Sequence, residues 1–504
     1  MARAFFSGTL LSRCSGLLRD IVMAYCFGSN PSVAAFMVAY RLAHLFRRLI
    51  GEGNLSSAFV PQFEAMQDVS KGSLLYRDAA WSLGLIALGL IALFEFMLWQ
   101  AQSWLTHGWL EIAAMTQWMA PSLLFVVLYA LGGALLQCRH RLFSFAASSI
   151  WLNATWITAA VTIHVLRVPE PLYHLSIVVP LAFAAQWVAV MYSCHTELKG
   201  YLPWRLLFRP HLFSEGVRRL MRPLWHGTLG IGAMQINGAL DAIFARAADP
   251  SGPAYLWYAI RLEQLPLALF GIALANALLP LLSKAMQEQR LDTYKQLLAS
   301  GIRHTIALMV PITAAIAALG WDAIALIYRH GAFGQSDVAM TFGCLVAYSI
   351  SLVPSALTLL IATGFYARHE HIISSRASMA SVACNMFFNA LFVFAFGWGA
   401  VSIALATSIA AICNIGILVW QLWRRMGSFW GDQLGLFTAK ISLASLFAWG
   451  VTMLCPTIET ALISLLCKGA LFFIGWAAAA WQLRIDLRWL QSLLKPRSRS
   501  SESL

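Results

Sequence analysis

The sequence predicts an all-α polytopic membrane protein of about fourteen transmembrane helices. Its expected plan is two parallel six-helix lobes around a central cationic cavity, plus two extra C-terminal helices. Three observations carry this. Of 504 residues, 60% are hydrophobic and 11% charged, where a soluble domain has about a quarter charged. Apolar runs of about 20 residues recur along the chain, long enough to cross a hydrocarbon core of about 30 Å. And a charged hairpin near the start returns, weakened, about 220 residues later, a sign of the repeated halves from which many transporters are built.

The first two spans, 5–27 and 33–66, form the charged hairpin. Four apolar spans follow at 79–100, 113–137, 144–165 and 173–195, completing an N-terminal lobe over 1–196. A basic stretch at 197–221, with Pro203 and Pro210, reads as a linker. Spans at 222–247, 254–284, 302–328, 337–366, 376–396 and 398–423 make a C-terminal lobe over 222–425. The last two spans, 437–455 and 459–483, have no repeat partner and form an appendix over 426–485. A basic tail closes the chain at 486–504.

The net charge of +13 is explained by topology rather than by nucleic acid. Loops on the side of the N-terminus hold Lys71, Arg139, Lys199, Arg218, Lys284, Arg368 and Arg424 among others. The opposite loops hold little beyond Arg167 and Arg329. This bias places both termini in the cytoplasm and favours an even span count. Six spans separate the hairpin from its echo, so both copies enter the membrane in one direction and are parallel repeats. In the echo, Asp20 aligns with Asp241, Arg41 with Arg261 and Pro61 with Pro280.

The nine cysteines are scattered through apolar segments without metal-type spacing, which fits small core residues. A cleavable leader is not expected, because the first apolar stretch runs on into the charged motif. No Walker loop is present and no Asp/Glu cluster resembles a phosphotransferase site.

The hairpin carries Arg13, Arg19, Arg41, Arg47 and Arg48 against Asp20 and Glu52, a surplus of positive charge. An ionised side chain at bilayer depth costs at least a few kcal/mol, so it normally faces a polar cavity and has a function. Arg13 and Asp20 share a helix face, with Arg19 about 100° around. Arg41, Arg48 and Glu52 form a stripe in which Arg48 and Glu52 pair one turn apart. Arg47 and Arg261 lack an opposite charge one turn away, and Glu263 points elsewhere. Surplus guanidinium groups suit phosphate or carboxylate through their planar fork. The expected ligand is therefore an anion, of the phosphorylated kind that such groups bind.

Asp241 reads either as a cation ligand or as an arginine partner. Asn385 and Asn389, one turn apart, read first as helix–helix hydrogen bonders. Asp322, near the outer end of its span, is expected to be wet. Lys468 is expected to snorkel from a helix end.

Ser12–Asp20, with Arg13, Gly16, Arg19 and Asp20, then Leu45–Gly53, with Arg47, Arg48, Gly51 and Glu52, then Ser57–Pro61, resemble the N-terminal signature of the MurJ (MviN) lipid II flippases. Arg261-Leu262 with Pro266 and Phe270–Ala275 resembles that family's eighth helix, and Gly364–Arg368 its tenth-helix end. The likeness spans essentially the whole chain. It implies the fold of the multidrug/oligosaccharidyl-lipid/polysaccharide (MOP) exporter superfamily. The implied role is movement of lipid II, the undecaprenyl-pyrophosphate-linked peptidoglycan precursor, from inner to outer leaflet of the bacterial cytoplasmic membrane. The implied partners are lipid II, membrane lipids and cell-wall synthesis or division proteins. Arginines at the positions of Arg13, Arg19, Arg47 and Arg261 line the cavity in that family, and the last two helices form a groove for the lipid tail. Some members hold Na+ with acidic and amide groups on helices seven and eleven. Asp241 and Asn385 match that pattern, whereas Asn389 stands where an aspartate is expected. No other cofactor is implied, and the membrane potential is the expected driving force.

Three alternatives follow from the same residues. One is a flippase for another polyprenyl-pyrophosphate oligosaccharide. A second is a membrane-embedded cell-wall transferase using Asp20 or Glu52. A third is a non-transporting scaffold.

Overall fold

The computed structural model describes residues 2–45, 54–66, 68–427, 431–456, 458 and 460–485. Among the described residues the chain is built of helices with no strand. They are α1 (Ala2–Phe27), α2 (Pro31–Ala43), α3 (Asn54–Ala65), α4 (Val69–Ala101), α5 (His107–Met119), α6 (Ser122–Cys138), α7 (Leu142–Ala147), α8 (Ser149–Val165), α9 (Pro171–Leu198) and α10 (Trp204–Leu207). They continue with α11 (Glu215–Ala248), α12 (Gly252–Pro266), α13 (Ile272–Gln287), α14 (Leu291–Tyr328), α15 (Gln335–Ser349), α16 (Leu352–Ala367), α17 (His371–Ala390), α18 (Val401–Met426), α19 (Gly431–Met453) and α20 (Ala461–Gln482). Each span expected from the sequence falls on one of these helices or on a consecutive pair. Among the described residues nine helices are long and apolar enough to cross a membrane, or ten when the bent pair α5–α6 is one span. The protein is a multi-pass membrane protein.

Local chemistry sets the helix starts and breaks. Asn30 caps α2, its side-chain oxygen accepting from Val33 N at 3.0 Å, and Pro31 occupies the first helical position, where no N–H is needed. Asp68 caps α4 by accepting from Ser70 N at 2.9 Å. The bend of 43° between α5 and α6 falls at Ala120-Pro121, where proline removes a backbone donor. A π turn, Leu267–Gly271, follows Pro266 and joins α12 to α13. A second, Leu391–Ala395, ends α17. Such turns widen a helix locally and often mark functional positions.

The helices sort into two compact units. The first comprises Met1–Tyr258, Ile327–Asp337 and Met386–Ile403; the second comprises Ala259–Leu326, Val338–Asn385 and Ala404–Leu504. In the first unit Leu55, Phe59, Leu83, Leu131, Leu135 and Val190 are buried together. In the second, Tyr294, Leu298, Leu360, Phe365, Leu418 and Ile441 do the same. Lipid tails are as apolar as leucine, so close packing holds such helices together, and small residues permit it. A Cβ on Gly132 would stand 2.6 Å from Val190 Cγ1. At the end of α1, Gly28 has φ +68°, and a Cβ there would stand 2.6 Å from the Ala332 carbonyl. Only glycine takes that backbone conformation without cost, and it lets the 329–334 loop close on α1 with Ala332 N donating to Tyr25 O at 2.9 Å.

One pair corrects the sequence reading. Asp322 is not wet but buried, and Lys468 does not merely snorkel: its Nζ donates to Asp322 Oδ2 at 2.7 Å. Ala318, one turn before Asp322, packs with Phe472, one turn after Lys468, beside Ala448 of α19. These opposite steps make α14 and α20 antiparallel, as a ninth and a fourteenth span must be. A lysine in the middle of α20 is thus neutralised by a carboxylate 146 positions away in sequence.

Candidate functional site

Of the expected arginines that lie among the described residues, Arg19 is the most deeply buried, and its surroundings come from α1, α2 and α8. It is 8% exposed, next to Asp20 at 2%. Its Nε and Nη2 donate to Asp20 Oδ1 at 3.2 and 2.9 Å, and its Nη1 donates to Asn153 Oδ1 at 3.3 Å. Asn153 in turn donates to Ser15 Oγ at 2.8 Å. The guanidinium lies 4.9 Å from the Trp156 ring centre, a distance at which a cation is drawn to the π face. Neighbours in sequence lie about 100° apart on a helix, and the long arginine stem covers that gap. The pairing of Arg19 with Asp20 was not expected; it shows which arginine one of the two hairpin carboxylates serves and leaves the surplus of arginines as counted.

Arg41 is held differently. It is half-buried on α2 and its Nη1 donates to the Gly238 carbonyl of α11 at 3.1 Å. Its guanidinium lies 5.9 Å from the Trp257 ring. Tyr40 meets Trp156 at 5.3 Å and Trp257 at 5.8 Å, both edge-on, and Phe36 meets Trp156 at 5.6 Å. Arg19 and Arg41 therefore flank one aromatic cluster of the first unit. Hydropathy alone hides this cluster, because Trp156 and Trp257 read as ordinary span residues. The i, i+4 spacing of Phe36 and Tyr40, beside Arg41, is the signal that could have exposed it.

Arg13 is exposed on α1 and makes no ion pair with a described residue. Arg47, Arg48 and Glu52 lie outside the described residues, as does the expected Arg48–Glu52 pair. Arg261 is half-buried on α12, in the second unit. Asp20 and Arg19 stand together, Arg41 shares their aromatic cluster from its other side, and Arg13 stands apart.

The candidate cation ligands partly converge. Asp241 is 8% exposed. Its Oδ1 accepts from Asn389 Nδ2 at 2.7 Å and its Oδ2 from Asn237 Nδ2 at 3.3 Å. Asn389 Oδ1 is buried without a hydrogen-bond partner among the described residues. Asn385 is buried one turn earlier on α17. The set is all oxygen and nitrogen of hard character. A Na+ ion fits it if the Asn389 amide turns its orphaned oxygen inward, since hard cations take carboxylate and amide oxygens. Among the described residues no three His, Cys, Asp or Glu side chains gather as a metal site.

Comparison with known proteins places the chain in a family. The sequence profile of the family described as "Lipid II flippase MurJ" matches residues 23–470. A protein of Chlamydia trachomatis described as a probable lipid II flippase MurJ is 29% identical over 392 residues, covering 76% of this chain and 71% of its own. A lipid II flippase MurJ of Burkholderia cenocepacia is 28% identical over 462 residues, covering 88% of each. Among solved structures, a lipid II flippase MurJ in an inward closed conformation superposes with a TM-score of 0.78 at 21% identity, covering 97% of this chain and 99% of that one. An inward-facing MATE multidrug transporter of the MOP superfamily gives 0.66 at 14% identity, over 84% and 98%. The folds therefore agree, and the family whose profile matches is one of lipid II flippases, which are transporters rather than catalysts. With the profile running through nearly every span, the chain belongs to the lipid II flippase MurJ family.

Proposed function

We propose that this chain carries lipid II from the inner to the outer leaflet by alternating access of two six-helix lobes, 1–196 and 222–425. Both termini lie in the cytoplasm, and the appendix at 426–485 guides the polyprenyl tail. Arg13, Arg19, Arg41, Arg47, Arg48 and Arg261 face the pyrophosphate and sugar head, with Asp20 and Glu52 holding arginines in place. The observation that supports this most directly is Arg19, which is fixed by Asp20 and Asn153 at the face of Trp156. An arginine held by a carboxylate and an amide at the face of a ring has a set orientation. An inside-negative potential favours outward movement of negative charge by about 2.3 kcal/mol per charge per 100 mV, so the potential drives export without ATP. Asp241, Asn385 and Asn389 are the groups that would hold Na+, which would neutralise the carboxylate inside the membrane. Cell-wall synthesis or division proteins are the expected protein partners.

The surplus of arginine over carboxylate in the hairpin disfavours a cationic-drug exporter, which needs the reverse. Mass spectrometry of the lipid retained by purified protein tests the assignment. Wild type should retain lipid II, and Arg19→Ala and Arg261→Ala should lose most of it. Retention unchanged in both variants overturns the site.

A further inference from the structure

A buried carboxylate stands apart from the arginines, within the second unit. Glu263 of α12 is 6% exposed. The π turn Leu267–Gly271 begins one helical turn later. Facing it is Ser351, in the break between α15 and α16. Two interrupted helices thus meet at this acid. Around them Leu267, Met309, Ile312, Ile316, Leu352, Val353 and Ala356 form an apolar packing.

The hydrogen bonds say which form of Glu263 suits the site. Ser351 Oγ lies 2.7 Å from the Tyr348 carbonyl and 3.5 Å from Glu263 Oε1. A hydroxyl has one proton, and the carbonyl takes it at the shorter distance. Ser351 then offers Glu263 a lone pair. An ionised carboxylate would therefore be left without a full donor from Ser351. A protonated carboxyl group can instead donate to Ser351 Oγ.

The charged surroundings agree. Among the described residues no cation lies within ion-pair distance of Glu263. Arg261 is two residues away on the same helix, about 200° around it. Helix α16 carries no Asp, Glu, Lys, Arg or His. On α14 the nearby part, Met309 to Ile316, has none either. Arg303 and His304 lie earlier on that helix, and Asp322 is engaged by Lys468. The break itself is capped by hydroxyls, with Thr313 donating to the Ser349 carbonyl at 3.3 Å.

We propose that Glu263 is a proton-binding site, loaded from the outer aqueous side and unloaded to the cytoplasm as the α12–α13 and α15–α16 junctions flex. Lipid II moves out while a proton moves in. No bond beyond the carboxyl O–H forms or breaks: water at one side supplies the proton and water at the other receives it. The coupling rests on the flippase reading above; the proton site itself does not.

Full-length protein in liposomes provides the test, using wild type, Glu263→Gln and Glu263→Asp. Infrared spectra without substrate should show the carbonyl band of a protonated carboxyl group in wild type that vanishes in Glu263→Gln. With lipid II present, wild-type transport should change up to about tenfold per pH unit, as for a step that needs one bound proton, and a lumenal pH dye should report proton entry. Glu263→Gln should retain lipid II but flatten the pH profile, and Glu263→Asp should restore part of it. Absence of the band overturns the proposal, and so does a Glu263→Gln profile matching wild type. A protein that keeps the band yet moves no lipid II at any pH refutes the flippase reading while leaving the proton site in place.

Discussion

Removing the Lys468 charge is expected to destabilise the C-terminal helices far more than a surface change would. The ammonium sits 2.7 Å from Asp322 Oδ2, with side chains 20% and 9% exposed. At that distance and an effective dielectric of about 20, the attraction is about 6 kcal/mol. Desolvation of both ions takes back several kcal/mol, and the partial exposure of Lys468 screens some of the rest. A coupling of about 2 kcal/mol is what should remain. Lys468→Met leaves Asp322 buried and unpaired, which should cost about 3 kcal/mol. Asp322→Leu together with Lys468→Met should recover to within about 1 kcal/mol of wild type, since matched apolar groups often replace a buried pair without loss. Equilibrium unfolding in mixed micelles across the four proteins gives the coupling directly. Strictly additive single and double variants would show that the pair does not hold α20 to α14.

Three further outcomes follow from the geometry. Gly28→Ala should cost about 2 kcal/mol of stability in the same unfolding assay, because the added methyl meets the Ala332 carbonyl in a left-handed backbone. Asn153→Leu removes the acceptor of Arg19 Nη1 and the donor to Ser15. Lipid II retention by mass spectrometry should fall several-fold while the fold persists, since a lost hydrogen bond to a charged group is worth about 1.5–3 kcal/mol. Asn389→Asp places a second carboxylate where an amide now stands 2.7 Å from Asp241 Oδ1. Two such groups ionise together only with a cation between them and otherwise share a proton, so transport in liposomes at neutral pH should rise more steeply with Na+ than in wild type.

What could be read from the sequence was whatever is periodic or compositional. The spans follow from apolar run length, and each landed on a helix. The burial of Arg19, Asp20, Asp241 and Asn389 followed from charged or amide groups set inside such runs. What could not be read was pairing between distant helices. Asp322 and Lys468 each look like a helix-end charge alone, and only folding reveals that they share one site. The Asp241–Asn389 contact was half visible, because both had been singled out as ligands but not as partners of each other. In the sequence Glu263 reads only as a carboxylate that points away from Arg261. Its significance comes from Ser351, which belongs to a break no periodicity predicts. The hairpin arginines Arg47 and Arg48 with Glu52 fall outside the described residues and keep only their sequence-based roles.

The first unit is stitched from three stretches of chain, the last ending at Ile403. A ribosome delivers residues in order, so roughly four-fifths of the polypeptide must emerge before that unit has all its parts. Until then Asp241 enters the bilayer without the amide of Asn389, and Gly28 waits for the loop that carries Ala332. Nascent chains stalled short of residue 386 should therefore look incomplete to quality-control proteases, however well their early hydrophobic segments have inserted.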